Sequence, residues 1–236
     1  MIHRRRMVLC MGVVMLATMA VRTAQGARLG LSAGLSVWYA NWSFESGNQF
    51  DYDAVPVLGG SLGIDYGRLY SYVMYHQGDR YELDERDASR RDVDLYAGCR
   101  IWGSLCAEAG LKYYEYDEEW SGEKLGDEDA MIPSLGLRWQ HEHLKSHIFY
   151  HVSMLYSPFA SWSSTLLLPD GSSRDISDTD PWYAVNAGIG YHFRAFGFKP
   201  MLEYSYQVLD RSETDRGRID ETFHGFRLRL VYRFVI

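Results

Sequence analysis

The chain has 236 residues, a formal net charge of -7, 18 tyrosines and three cysteines. This length suits one domain. The acidic balance argues against binding to nucleic acid, because a phosphate backbone attracts basic surfaces. So few cysteines also exclude a fold that is held together by disulfides.

The first 26 residues have the pattern of a secretory signal peptide. Three arginines at positions 4–6 precede an apolar run over 7–21, and small residues follow at 24–26. The run is shorter than the roughly 20 residues of a membrane-spanning helix. We therefore predict a cleaved signal peptide of residues 1–26 and one mature domain of residues 27–236. Cleavage would remove four arginines, leaving 20 basic against 31 acidic residues and a net charge of about -11.

Apolar residues alternate with small or polar residues along most of the remaining chain, as in β-strands whose two faces differ. Nine segments show this alternation before the C-terminus: 29–38, 58–66, 70–76, 93–101, 107–113, 134–139, 148–154, 183–192 and 198–207. The orientation of segment 70–76 stays open, because it is apolar on both faces. The tenth segment has one wholly apolar face, formed by Phe226, Leu228, Leu230, Tyr232, Phe234 and Ile236. Its other face carries Arg227, Arg229 and Arg233.

The connections between these segments are of two alternating kinds. Short turns are predicted near 67–68, 103–104, 142–146 and 194–197, and long polar loops are predicted at 43–54, 78–91, 117–130, 157–180 and 208–221. Bacterial membrane barrels combine short periplasmic turns with long outer loops and an even number of strands. The pattern predicts an all-β, transmembrane, antiparallel up-and-down barrel of about ten strands. Aromatic residues beside the short turns predict a periplasmic girdle of Tyr66, Tyr70, Trp102, Trp139, Tyr191, Phe193, Phe196 and Phe198.

The C-terminal strand resembles the sorting signal that the barrel-assembly machinery reads, with Ile236 in place of the usual terminal phenylalanine. The segments 109–114 and 223–226 are similar to those of small Gram-negative outer-membrane barrels. This resemblance covers the whole mature chain. It implies an outer-membrane location, contact with membrane lipid and lipopolysaccharide, assembly by that machinery and a monomeric state. It implies little about activity.

The face opposite the lipid carries charges of both signs, which we predict to form a network in the lumen. Its members are Asp65, Asp94, Arg100, Glu108, Lys112, Arg138, Glu203, Arg227, Arg229 and Arg233. A barrel this narrow is nearly filled by its side chains. We therefore expect a largely closed barrel with mobile acidic outer loops and a structural or surface-interaction role. A narrow pore for small solutes or ions is the alternative.

No cofactor or metal site is predicted, although the acidic segment Asp117–Asp129 leaves a divalent cation open. Acidic loops are most often simply solvated. Two segments, 30–34 and 59–63, fit the Gly-x-Ser-x-Gly pattern of serine hydrolases. That chemistry needs a sharp turn between a strand and a helix, whereas both serines lie inside alternating strands.

Two outer-membrane hydrolases are the remaining alternatives. His151 and Ser153 resemble the spacing in lipid A deacylases, but the alternation points His151 inward, without an evident glutamate to orient it. Omptin proteases are similar in strand number and use an Asp-x-Asp pair facing an Asp-x-His pair. Asp51/Asp53 or Asp92/Asp94 could supply the first pair, but the chain has no Asp-x-His. The base that would activate water is missing, so we predict that the protein is not an enzyme.

Overall fold

The computed structural model describes residues 29–46, 48–83, 86–120, 123–167, 172–214 and 217–235. The predicted signal peptide, residues 1–26, and the terminal Ile236 lie outside these ranges. No helix in the described part of the chain is long and apolar enough to cross a membrane. The described residues form ten strands: β1 (Leu29–Ser46), β2 (Asn48–Tyr66), β3 (Leu69–Leu83), β4 (Arg86–Trp102), β5 (Leu105–Trp120), β6 (Glu123–Glu142), β7 (Ile148–Leu167), β8 (Ser173–Tyr191), β9 (Phe198–Thr214) and β10 (Gly217–Val235).

The ten strands form one closed barrel. Each strand pairs antiparallel with its neighbours in the chain, and β1 also pairs with β10. The closing register sets Leu35 opposite Leu230 and Ser36 opposite Arg229. Closure satisfies backbone hydrogen bonds that an open sheet edge would leave unpaired in lipid. The predicted ten-stranded antiparallel up-and-down barrel is confirmed.

The short turns lie together at one end of the barrel. They connect β2 to β3, β4 to β5, β6 to β7 and β8 to β9, close to the predicted positions. Gly67, Gly103 and Gly197 in these turns have φ values of 63°, 52° and 71°, which glycine adopts without steric cost. The start of β1 and the end of β10 lie at the same end. Bacterial barrels place short turns in the periplasm, so we call this the periplasmic end and the opposite one the outer end.

Exposed apolar side chains surround the half of the barrel nearest the periplasmic end. This apolar belt includes Leu31, Leu35, Val37, Leu58, Leu62, Ile64, Val93, Ile101, Leu135, Leu137, Ile148, Val152, Met154, Ile189, Leu202, Leu228 and Leu230. Large apolar surfaces are not left in water, and a band on the outside of a closed barrel matches the lipid-facing surface of membrane barrels. Trp102, Trp139, Tyr191 and Phe196 are exposed beside the turns, as predicted for a girdle. Tyr70 was wrongly included, because it points into the lumen.

The structure also decides the orientation of β3. Tyr72 and Met74 pack with the buried side chains of the lumen, and His76 is fully buried. Tyr75 is exposed on the outer wall. Both faces of this strand are apolar in sequence because large aromatic side chains fill the lumen beside it.

The prediction of long outer loops was wrong, because most of those residues belong to strands. The strands have 15 to 20 residues, whereas crossing a bilayer takes about 9–11. They continue as paired hairpins beyond the belt, with β1 and β2 still in register from Trp42/Tyr52 to Ser46/Asn48. On a wall that faces water, outward residues are polar, and this composition suggested loops. The inward residues of the same segments are buried aromatic, small and charged side chains, and they continue the alternation.

Aromatic side chains fill the lumen above the belt. Trp42 stacks on Tyr52 with ring centroids 5.0 Å apart and meets Tyr81 edge-on at 5.5 Å. Trp38 packs against Phe223 at 4.6 Å. A second cluster on the opposite side contains Tyr114, Ile132, Leu155, Trp162, Trp182 and Leu209. The barrel therefore has a packed interior like that of a soluble protein, which supports its walls beyond the membrane.

Cys99 and Cys106 lie in one hairpin but do not face each other. Cys99 pairs with Ala107 and Cys106 pairs with Arg100, so the two thiols lie on opposite faces of the wall. Both cysteines are free in the structure. A disulfide needs Cβ atoms about 4 Å apart on converging side chains.

We therefore expect no disulfide between Cys99 and Cys106, even after oxidation. The measurement is peptide mapping of the unreduced protein by mass spectrometry, with both thiols expected as separate alkylated peptides. Detection of a cross-linked peptide containing both would mean that the register of this hairpin is shifted by one residue.

Candidate functional site

Glu203 is the centre of the charge network at mid-height in the lumen. This buried carboxylate accepts a hydrogen bond from Arg227, which lies directly opposite it in the pairing of β9 with β10. Arg229 Nη1 lies 3.7 Å from Glu203 Oε2. His151 Nε2, from β7, donates to the same oxygen over 2.8 Å. The expectation that no glutamate orients His151 was wrong, because Glu203 on β9 reaches it over Gly188 of the intervening strand β8.

Glu108 forms a second centre closer to the periplasmic end. The Tyr70 hydroxyl donates to Glu108 Oε1 over 2.7 Å, and Arg138 Nη1 lies 3.5 Å from the same atom. Arg138 also donates to the Tyr72 hydroxyl over 3.4 Å. Three strands, β3, β5 and β6, are therefore joined around one buried carboxylate by a cation and two aromatic rings.

Lys112 joins two aspartates of β4 that point to the same side. Its Nζ lies 2.5 Å from Asp92 Oδ1 and 3.3 Å from Asp94 Oδ1. Asp92 Oδ2 also accepts a hydrogen bond from Arg90 Nε over 3.2 Å. Arg90 was missing from the predicted network because residues 78–91 were predicted to be a loop, and Asp92 lies between that loop and the strand predicted from residue 93.

The densest group of charges lies above the belt and was missed by sequence reasoning. Glu221 accepts hydrogen bonds from Arg90 Nη1 over 2.8 Å, from Trp42 Nε1 over 2.9 Å and from the Tyr114 hydroxyl over 3.1 Å. Arg211 contacts Glu221, and its Nη1 lies 2.8 Å from Glu128 Oε2. We call Arg90, Glu128, Arg211 and Glu221 the outer charge cluster.

A sequence signal for the outer charge cluster existed. In two of its four strands, the charged residue shares the inward parity with an aromatic residue, as Glu221 does with Phe223 and Arg90 with Tyr96. The Arg90 guanidinium lies over the rings of Tyr114 and Phe223, with its carbon 4.1 and 4.2 Å from their centroids. Cations over aromatic faces are attracted to the ring quadrupole, so the cluster and the aromatic core are one packed unit.

The remaining predicted members lie near the periplasmic end. Arg233 Nη2 lies 2.5 Å from Asp65 Oδ2, which joins β10 to β2. Arg100 is exposed and makes no ion pair with the residues that the structure describes. It lines a cavity of about 400 Å3 at this end of the barrel. We call this cavity the vestibule.

The lumen above the vestibule is nearly solid. A second cavity, between Tyr72, Asp94, Arg138, His151 and Glu203, has a volume of about 20 Å3. A water molecule needs about 10–15 Å3 by this measure, so this space admits one or two. Neither of these two cavities is a continuous path from the periplasmic end to the outer end.

The residues considered for hydrolase chemistry are placed in different surroundings. Ser32 and Ser61 lie within β1 and β2, in regular register with their neighbours. The Ser153 hydroxyl accepts a hydrogen bond from Asn186 over 3.2 Å inside the lumen. Asp51 and Asp53 are exposed, on the wall opposite to the inward Tyr52. These groups do not form one site.

The acidic segment Asp117–Asp129, which we considered for a divalent cation, lies at the outer end of the β5–β6 hairpin. It contains a positive charge of its own, Lys124. Lys124 Nζ lies 2.7 Å from Asp127 Oδ2 and 3.1 Å from Asp117 Oδ1. Hydrogen bonds to Asp127 and Asp117 raise the pKa of this exposed lysine above its usual value. In the ranges that the structure covers, no group of three or more His, Cys, Asp or Glu could hold a metal ion.

The chain matches no family model and no curated protein sequence. Its fold is similar to that of the outer membrane protease OmpT from Escherichia coli, with 11% identity and a TM-score of 0.66 over 88% of this chain and 97% of that chain. It is also similar to the translocator domain of the autotransporter NalP from Neisseria meningitidis, with 13% identity and a TM-score of 0.53 over 98% of each chain. Identities this low carry the fold and no activity.

These observations define the class of the protein. It is a closed, all-antiparallel barrel with an apolar belt on its outer wall, and its fold is similar to that of an outer membrane protein. The protein is a small outer-membrane β-barrel with ten transmembrane strands.

Proposed function

We propose that the protein is a closed outer-membrane barrel with a structural or surface-interaction role, rather than a channel or an enzyme. The observation that carries this proposal is the filled lumen. Ion pairs centred on Glu108, Glu203 and Glu221 occupy it at three heights, and aromatic side chains fill the space around the uppermost one.

The energetics of these ion pairs favour a permanently closed interior. Removing one partner of a buried ion pair costs several kcal/mol, because a buried charge is left uncompensated. A conducting path would have to separate pairs at all three heights, and the Arg90–Glu221 pair lies within an aromatic core. Water therefore gains access only at a large free-energy cost.

The strands provide a second argument, since they continue beyond the membrane as a rigid wall. This wall carries charged residues such as Arg91 and Glu115, whose side chains pair across β4 and β5 at 3.1 Å. A stiff polar surface that projects from the membrane suits contact with lipopolysaccharide or with molecules outside the cell.

Conductance in planar bilayers tests the proposal against the narrow-pore alternative. We expect the folded protein to insert without producing stable current steps, because the lumen holds no continuous water path. A porin added to the same bilayer serves as the positive control, and a heat-modifiable gel shift confirms that the protein is folded. Reproducible steps with an ohmic current-voltage relation would refute the closed barrel and favour the pore.

The absence of an enzymatic role is part of the same proposal. Of the two aspartate pairs considered for an omptin-like protease, Asp92 and Asp94 are bound to Lys112, and no Asp-x-His motif exists in the sequence. Asp51 and Asp53 stand on the outer wall. Incubation of the folded protein with a peptide library should yield no cleavage products, and specific cleavage that Asp92→Asn abolishes would contradict the proposal.

A further inference from the structure

The vestibule at the periplasmic end has a volume of about 400 Å3, which lies in the range of small-molecule sites. Its lining is mostly polar and includes Tyr70, Arg100, Ser104, Cys106, Arg138, Gln140, His141 and Glu142. The Glu108–Arg138–Tyr70 contacts close it on the lumen side. It is therefore a blind pocket that opens toward the periplasm.

Two arginines stand on either side of Cys106 in one row across the wall of the vestibule. Cys106 pairs with Arg100 on β4 and with Arg138 on β6. Arg100 makes no ion pair with the described residues, and the Nε atom of Arg138 is buried without a hydrogen-bond partner in them. The carboxylate of Glu142, which also lines the vestibule, is already bound by Arg194 at 2.7 Å and His192 at 3.2 Å.

The charge balance at this end of the lumen differs from that of the whole chain. The sequence has a net charge of -7, yet cations outnumber carboxylates around the vestibule. The charged residues that line it are Arg100 and Arg138 against Glu142. Clefts lined by one sign of charge concentrate ligands of the opposite sign.

We propose that the vestibule binds a small organic anion, through a carboxylate or phosphate group held by Arg100 and Arg138. Guanidinium groups bind both kinds of anion through paired N–H donors. Ser104, Gln140 and Tyr70 supply further polar groups for the rest of the ligand. This site is independent of whether the lumen conducts, because it lies on the periplasmic side of the Glu108 contacts.

Cys106 allows a direct test, since its thiol lies between the two arginines. In a Cys10→Ser/Cys99→Ser variant it is the one thiol of the 236-residue sequence. The folded variant is reacted with sulfonatoethyl methanethiosulfonate, which is an anion, and with trimethylammonioethyl methanethiosulfonate, which is a cation. Mass spectrometry gives the rate at which each reagent modifies Cys106. Each rate is divided by the rate of the same reagent with a small free thiol, which corrects for the intrinsic reactivity of the reagent.

We expect the anionic reagent to react about tenfold faster after this correction, since charged clefts change local concentrations by at least this factor. Arg100→Gln should reduce the preference about threefold or more, whereas Arg100→Lys should keep it. Lys145→Gln is the matched control, because it removes one positive charge from an exposed turn outside the vestibule lining. Equal rates, a preference for the cation, or no labelling of Cys106 by either reagent would overturn the proposal.

Protection of Cys106 separates the two ligand chemistries. Succinate and glycerol phosphate are added at equal ionic strength, with choline chloride as the reference. Slower labelling with succinate alone assigns a carboxylate ligand, slower labelling with glycerol phosphate alone assigns a phosphate ligand, and slowing by both supports a general anion site. The site would be refuted if neither compound slowed the labelling of Cys106. It would also be refuted if the compounds protected Cys106 equally well in the Arg100→Gln variant.

Discussion

Replacement of Leu230 by arginine should block membrane insertion, whereas replacement of the neighbouring Arg229 by leucine should allow it. Leu230 lies at the middle of the apolar face of β10 and is 46% exposed on the outer wall. A basic residue facing lipid at this depth costs about 2–4 kcal/mol. Arg229 points into the lumen, where its side chain lies near Glu203, so leucine there meets no lipid-related cost.

The measurement is the fraction of each variant that folds into lipid vesicles, read from the heat-modifiable gel shift. Leu230→Ala is the matched control, since it shortens the side chain without adding charge. Efficient insertion of Leu230→Arg together with failure of Arg229→Leu would mean that the two faces of β10 are assigned the wrong way round. The assignment of Arg227 and Arg233 to the lumen would then also be wrong, because they share the face of Arg229.

Glu203→Gln should be the most destabilising single substitution in the charge network. Arg227 and Arg229 both lose their carboxylate partner, and no second ion pair of either is present among the described residues. Breaking a buried pair by removing one partner costs about 3–5 kcal/mol, since an uncompensated charge remains in a low-dielectric interior. Here two such charges remain, so the loss should lie at the upper end of that range.

Urea unfolding of the protein in lipid vesicles gives the free energy for comparison with the parent. Glu115→Gln is the matched control, because the Glu115–Arg91 pair lies on the outer wall with both side chains more than a third exposed. Exposed pairs contribute about 0–1 kcal/mol. Similar losses for the two variants would show that the Glu203 pocket is hydrated, and the closed-lumen proposal would lose its main support.

The sequence identified most of the barrel because the relevant signal is local. Alternation along β10 assigns Leu230 to one face and Arg229 to the other with no knowledge of any other strand, since successive side chains of a strand point to opposite sides. The same rule placed Cys99 and Cys106 on opposite faces. The interruptions between alternating segments located the short turns at Gly67 and Gly103. It failed beyond the belt, because water-facing strands have the composition of loops.

The sequence by itself determined the ten strands, the lipid-facing side chains and the charged character of the lumen. Only the tertiary structure decided which charges meet. Arg233 pairs with Asp65 across 168 positions, Arg211 with Glu128 across 83 and His151 with Glu203 across 52. The Arg233–Asp65 pair depends on the closure of β1 against β10, and the other two depend on the relative height of their strands. Periodicity fixes the face of a side chain but not its height or its neighbour across the barrel, so the network, the vestibule and the outer charge cluster emerge only when the ring is closed.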